Sequence, residues 1–280
     1  MFFTMNRRAF PISAVILALV AITSGCGKKE KAQEKSQAET AAPVEAAVPP
    51  IVIGMIEAHG GMAAWRAAPT VSFEDEFSAP NGFSTVSRVM VDQKRRRAYI
   101  DFPGTDMSLA WNGKEAWSMN WKQPYPPRFL ALLNYYFVDL PWLTMDPGVR
   151  LSEPETTTMW DDSTEYASVR MTFAPGTGDT PKDQYRLYID PKTKRLKACA
   201  YVVTYRALLP DSVDSTPEHP LVYEDFTTVN GLVVPTKYTI YMAPGQPIAM
   251  CSIRDWSFGR PFDESRMSRP AEAAMDSTTP

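Results

Sequence analysis

The sequence breaks repeatedly into short segments in which apolar and polar residues alternate. This period of two constrains the fold more than any other feature. Thr85–Val91, Arg97–Phe102 and Met107–Trp111 each alternate, and Trp117, Met119 and Trp121 continue the pattern. Further strand candidates are Val149–Met159, Tyr166–Phe173, Gln184–Asp190, Arg195–Arg206, Leu221–Thr228, Leu232–Met242 and Ile248–Phe258. Asn112-Gly113 and Asn230-Gly231 lie between such segments. Asn-Gly is a strong hairpin signal, because both central residues of a type I′ turn need positive φ. Helical spacing occurs in two places. Val52, Met55, Ile56, His59, Met62 and Ala63 make one face of Ile51–Arg66, weakened at Gly60 and Gly61 and ended before Pro69. Within Pro124–Leu143, Phe129, Leu130, Leu132, Leu133, Tyr136, Phe137 and Leu140 recur at helical spacing, with Pro141 as the point of any division. The expected class is mainly β (α+β): a curled antiparallel sheet or half-open β-barrel, with an N-terminal helix and a central helical lid.

The first 25 residues read as address rather than structure. Arg7 and Arg8 precede an uncharged, mostly apolar run, Ala9–Ile22, of the length secretory signals have, roughly 7–15 residues. A spanning helix needs about 20. Thr23, Ser24 and Gly25 then lead into Cys26. This junction resembles the lipobox of bacterial lipoproteins. The resemblance implies cleavage before Cys26, diacylglycerol on its thiol and an acylated (palmitate-type) N-terminus. Residue 27 is glycine rather than the aspartate of inner-membrane retention, which implies the outer membrane. Stable anchoring needs more than one acyl chain, and a triacylated cysteine supplies it. Residues 26–50 are mostly Lys, Glu, Gln, Ala and Pro with no aromatic side chain, a composition that does not bury enough surface to fold. They read as a tether reaching on the order of 80 Å at about 3.3–3.6 Å per residue. Residues 51–265 form the expected folded domain, and 266–280 a loose polar tail.

Charge and cysteine usage narrow the function classes. The chain carries −3, and loss of Arg7 and Arg8 takes the mature form to −5. With no basic excess, nucleic acid is not an expected partner. The one basic run, Gln93–Arg97, reads as a solvated turn between two strands. An oxidising compartment permits Cys199 and Cys251 to pair. They fall in strand candidates that are not consecutive, and a bridge requires Cα atoms within about 7 Å, which the sequence alone does not establish.

A search for catalytic chemistry returns little. The two histidines, His59 and His219, have no histidine or cysteine at ligand spacing, and no zinc site or other cofactor is expected. There is no Gly-x-Ser-x-Gly elbow, phosphate loop or dinucleotide fingerprint. The acidic groups Glu74-Asp75-Glu76 and Asp161-Asp162 read as turn caps or solvated faces. His59, in "AHGGMAAW", reads as a helix-face histidine bonded to a neighbouring strand or loop. The chain is therefore read as a binding protein rather than an enzyme. Its distinctive content is apolar bulk: seven Trp, thirteen Phe, twelve Tyr and fourteen Met. A helix apolar on most of its circumference must be covered on several sides or face a greasy ligand.

The order of elements resembles the LolA/LolB-like superfamily of periplasmic and outer-membrane lipoprotein carriers. So do "DQYRLYIDPKTKRLKACAYVVTY", "YEDFTTVNGLVVPTKYTIY" and "IRDWSFGRPFDESRMSRP". The resemblance implies an open barrel, a helical lid and a hydrophobic cleft. On this reading the chain is a monomeric lipoprotein, anchored to the outer membrane and facing the periplasm. It would bind a lipid, acyl chain or lipoprotein without covalent chemistry. The expected lid face is Phe129, Leu130, Leu133, Tyr136 and Phe137, and the expected cleft wall is Trp65, Trp111 and Trp117. Two alternatives stay open: a surface interaction or sensor domain whose barrel is filled by its own side chains, and a hydrolase using His59.

Overall fold

The computed structural model describes residues 47–160, 162–278 and 280. The signal segment, Cys26 and nearly all of the tether lie outside the described residues. Two short helices open the fold, α1 (Pro50–Ala58) and α2 (Gly61–Ala67). Five strands follow: β1 (Thr70–Ser78), β2 (Ser84–Asp92), β3 (Arg97–Asp101), β4 (Ser108–Trp111) and β5 (Ala116–Met119). The central helix, α3, spans Pro127–Leu143. After it come β6 (Val149–Leu151), β7 (Glu155–Met159), β8 (Asp162–Phe173), β9 (Gln184–Ile189) and β10 (Leu196–Val202). The chain ends with β11 (His219–Val229), β12 (Leu232–Ala243), β13 (Gln246–Phe258) and β14 (Ala274–Met275).

These strands form one antiparallel sheet in the order 14-5-4-3-2-1-13-12-11-10-9-8-6, with β7 also on the outer side of β8. Nearly every neighbour is a sequence neighbour. The exceptions are β14 against β5, β6 against β8, and β1 against β13, which joins the two halves of the meander. The sheet does not close, and α3 lies against it, touching β3, β4, β5 and β12 as well as α1 and α2. The architecture is therefore the expected curled, half-open sheet with helices.

Five local expectations are corrected. The first strand, β1, was not among the alternating segments, because its acidic triplet reads as a turn. In fact Glu74 and Asp75 are both buried on that strand. Glu74 stands opposite Arg88 on β2 and Arg254 on β13 and bonds both guanidiniums. Arg88 leads in holding the Glu74 carboxyl below its ordinary range. Asp75 points the other way, where Asn134 of α3 donates to it at 2.5 Å. Second, the basic run is only partly solvated. Arg96 turns inward to Tyr135 and Asp146, and Arg97 bonds Asp92 and Glu264. Third, the tail is tied down. Ala274 and Met275 pair with β5, Ala273 is buried, and the Asp276 carboxylate accepts from the Arg128 backbone N–H at the start of α3. Fourth, Asn112 lacks positive φ and closes its turn by accepting from the N–H groups of Lys114 and Glu115. Only Asn230-Gly231 has positive φ at both residues. Fifth, Pro141 does not divide α3, which runs on to Leu143.

The predicted N-terminal helix breaks at its glycine pair for a steric reason. Gly60 has φ of 102°, and a Cβ there would lie 2.1 Å from the Gly231 carbonyl oxygen. The α1–α2 corner is thus pressed onto the β11–β12 turn, and the Val233 N–H donates to the His59 carbonyl at 3.0 Å. Cys199 and Cys251 are free and buried, with two strands between their own. At about 4.8 Å per strand that separation is on the order of 14 Å, beyond the reach of a disulfide. Burial pushes the Cys199 thiol up to about 12, so it stays protonated.

Candidate functional site

The helix α3 owes its nearly all-round apolarity to two jobs on opposite faces. Ala131, Tyr135, Val138 and Trp142 are buried toward the sheet and the N-terminal helices. Trp65 of α2 stacks on Trp142 at 4.6 Å between ring centroids with the planes 6° apart. Phe137 lies 4.8 Å from Tyr201, and its carbonyl accepts from the Tyr223 hydroxyl. The space directly beneath the helix is thus filled by the protein's own side chains.

The opposite face of α3 carries Phe129, Leu132, Leu133 and Tyr136, all half-buried. These four line a cavity of about 640 Å³. The lining also takes in Val149 of β6, Phe173 of β8, Tyr185 of β9 and Tyr205, whose ring lies 5.3 Å from that of Phe129. Residues 177–180 and the Gln93–Arg96 turn with Trp111 complete the lining. Such a volume falls within the 300–1,000 Å³ typical of small-ligand sites, roughly.

The polar border is largely paired. Arg128 at the first turn of α3 holds Asp179 through two bonds at 2.5 and 2.8 Å, and its guanidinium sits 5.0 Å from the Trp111 ring centroid. Arg96 donates to the Tyr135 hydroxyl at 2.6 Å and to Asp146 at 2.5 Å. Asp183 accepts from the hydroxyls of Thr180 and Thr204 at 2.7 and 2.6 Å. Burial raises the carboxyls of Asp146 and Asp183 above their ordinary value.

Of the residues singled out in the sequence, the cavity brings together Phe129, Leu133, Tyr136 and Trp111. Leu130 is half-buried against the core and does not line it. Phe137 and Trp65 belong to the packed interior. Trp117 packs with Ala110 and Ala273 in a separate cluster and lines a depression of only about 100 Å³. The sequence reading missed Leu132, which sits in the same helical stripe, and the further lining from Val149, Phe173 and Tyr185. The latter are strand positions indistinguishable by pattern from ordinary core.

His59 is fully engaged with backbone. Its Nδ1–H donates to the Val233 carbonyl at 2.7 Å, and its Nε2 accepts from the Leu196 N–H at 3.0 Å. Burial pushes its pKa from 6.5 to about 4, so the ring is neutral at physiological pH. Neither nitrogen has a carboxylate or hydroxyl partner, as a general base would require. The hydrolase alternative therefore loses its geometry. Among the described residues, no group of three or more His, Cys, Asp or Glu side chains is placed to hold a metal ion, and no helix is long and apolar enough to cross a membrane.

The fold and cavity together define a class: a half-open antiparallel sheet whose central helix packs inward on one face and lines a greasy cleft with the other. The chain is similar to the following solved structures. A LolA superfamily protein from Nitrosomonas europaea aligns with a TM-score of 0.49 at 12% identity, over 80% of this chain and 99% of that one. A DUF1329 family protein from Desulfovibrio piger gives 0.47 at 9%, over 79% and 98%. An outer-membrane lipoprotein-sorting protein domain from Vibrio parahaemolyticus gives 0.43 at 7%, over 71% and 88%. No protein-family model matches the sequence, and comparison with curated protein sequences finds no significant relative.

Proposed function

We propose that this protein is a non-enzymatic, monomeric lipoprotein of the bacterial outer membrane, facing the periplasm, that holds the hydrophobic part of a lipid or lipoprotein. The observation that carries this reading is the cavity along the outer face of α3, with Phe129, Leu132, Leu133 and Tyr136 on one wall and Val149, Phe173 and Tyr185 also in its lining. An apolar surface of this kind is favourable for an acyl chain and unfavourable for water. Glutamate at Leu133 places a charge on that wall, which is costly once an acyl chain excludes water. Leu133→Glu is expected to weaken binding of a fluorescent acyl probe tenfold or more. Leu133 is already half-exposed, so the melting temperature should move only a few degrees. Native mass spectrometry of the gently extracted protein should show a bound lipid. If no lipid is carried and the probe does not bind, the carrier reading fails.

The anchor is tested separately. Cells fed labelled palmitate should label the protein, and Cys26→Ser should abolish the label and release the chain from the membrane fraction. A second reading, a sensor or interaction domain, is favoured by one observation: the interior beneath α3 is filled. It predicts that Leu133→Glu leaves function in the cell intact.

A further inference from the structure

The apolar walls account for a chain but not for the cations beside them. Lys94, Arg95 and Arg96 of the β2–β3 turn border the cavity on one side, and Arg128 borders it at the start of α3. The acids in the lining are already engaged: Asp146 by Arg96, Asp179 by Arg128, and Asp183 by two threonine hydroxyls. Arg95 is drawn to Asp92 and Glu264. Lys94 is exposed and, among the described residues, in no ion pair. Its ammonium offers three donors and no acceptor. It is thus a cation at the cavity border that no carboxylate engages among the described residues.

The volume adds a second limit. At about 30 Å³ per water-sized group, 640 Å³ takes on the order of twenty methylene-sized groups. That is one long acyl chain rather than several. We propose that the cavity selects a single-chain amphiphile with an anionic head, carboxylate or phosphate, with its chain along α3 and its head at the Lys94–Arg96 turn. This rests on the acyl-chain reading above and adds what the head must be. A charge-assisted bond to an anionic head is shorter and about twice as strong as one to a neutral hydroxyl.

The test uses the mature chain from residue 26 with Cys26→Ser, which needs no detergent, and isothermal calorimetry. The ligands are palmitate, palmitoyl lysophosphatidate, monopalmitoylglycerol and inorganic phosphate. Palmitate and the lysophosphatidate are expected to bind one per chain, at least tenfold more tightly than monopalmitoylglycerol, with no measurable binding of phosphate alone. Lys94→Glu should erase that preference, with the affinity for monopalmitoylglycerol and the melting temperature unchanged. Equal affinity for palmitate and monopalmitoylglycerol, or a preference that survives Lys94→Glu, overturns the head-group inference and leaves the acyl-chain reading standing. Phosphate binding as tight as the lysophosphatidate's makes the rim an anion site independent of any chain and also overturns it. If no acyl ligand binds, the acyl-chain reading itself falls.

Discussion

Replacing His59 with alanine is expected to destabilise the protein by about 3–5 kcal/mol at pH 7. The substitution leaves the buried Leu196 N–H and the Val233 carbonyl without the partners His59 now supplies. Each stranded group costs about 1–3 kcal/mol. The emptied ring space, which now meets Trp142 and Phe226 edge-on, adds a cavity cost. Equilibrium urea unfolding should show a lower midpoint at an unchanged slope. The pH dependence carries a sharper signature. The folded pKa of His59 is depressed to about 4 against 6.5 in the free side chain. Between those values the unfolded chain binds a proton that the folded chain refuses. The contribution of His59 is therefore fully present above about 6.5 and is lost as pH falls toward 4, at about 1.4 kcal/mol per pH unit. His59→Ala lacks that slope, so its deficit against the wild type should shrink by about 3 kcal/mol between pH 7 and pH 4. A deficit that stays constant would mean that His59 titrates normally in the folded protein.

The same residue shows what a sequence can reveal. That His59 bonded a neighbouring element was readable from its isolation from any nucleophile or acid, although it caps the C-terminus of α1 rather than lying on a helix face. That it bonds two strands at once was not, because Leu196 and Val233 come together only through the pairing order of the sheet. The alternation of β2 to β5 and of β9 to β13 was legible because each has one face in the core. β1 was hidden by its acids. With Val71, Phe73 and Phe77 on the Asp75 face it alternates like the others, but nothing local announces that Arg88 and Arg254 flank Glu74. The stripe of the central helix that lines the cavity was partly legible, since Phe129, Leu133 and Tyr136 share a face. Which side of an all-round apolar helix meets a cavity depends on its partners, and these lie far away in sequence. Trp65 and Trp117 illustrate the limit: a tryptophan fits a core as well as a cleft, and both went to packing.

Removing the carboxyl of Asp139 is expected to stabilise the protein, unlike most core substitutions. Asp139 is fully buried in α3, and neither carboxyl oxygen has a hydrogen-bond partner among the described residues. Burial raises its pKa well above the ordinary value of 3.8, against a weaker pull from Arg96. The folded state thus holds a proton that the unfolded chain releases once the pH exceeds about 4. Stability from this group is complete below that value and falls by about 1.4 kcal/mol for each pH unit above it, as long as the carboxyl stays protonated. Asp139→Leu removes both the protonation cost and the unpaired oxygens. It should raise the unfolding free energy at pH 7 by at least the roughly 1–3 kcal/mol that a buried unpaired polar group costs, with the gain shrinking toward pH 4. Asp139→Asn should show the same slope with a smaller gain, because the amide leaves buried donors unpaired. Parallel urea titrations of the wild type and both variants at pH 4, 5.5 and 7 separate the two contributions: the slope reports the proton, and the offset between the variants reports the unpaired polar atoms. A gain that does not vary with pH would show that the carboxyl is ionised in the folded protein, and the burial argument for its raised pKa would then be wrong.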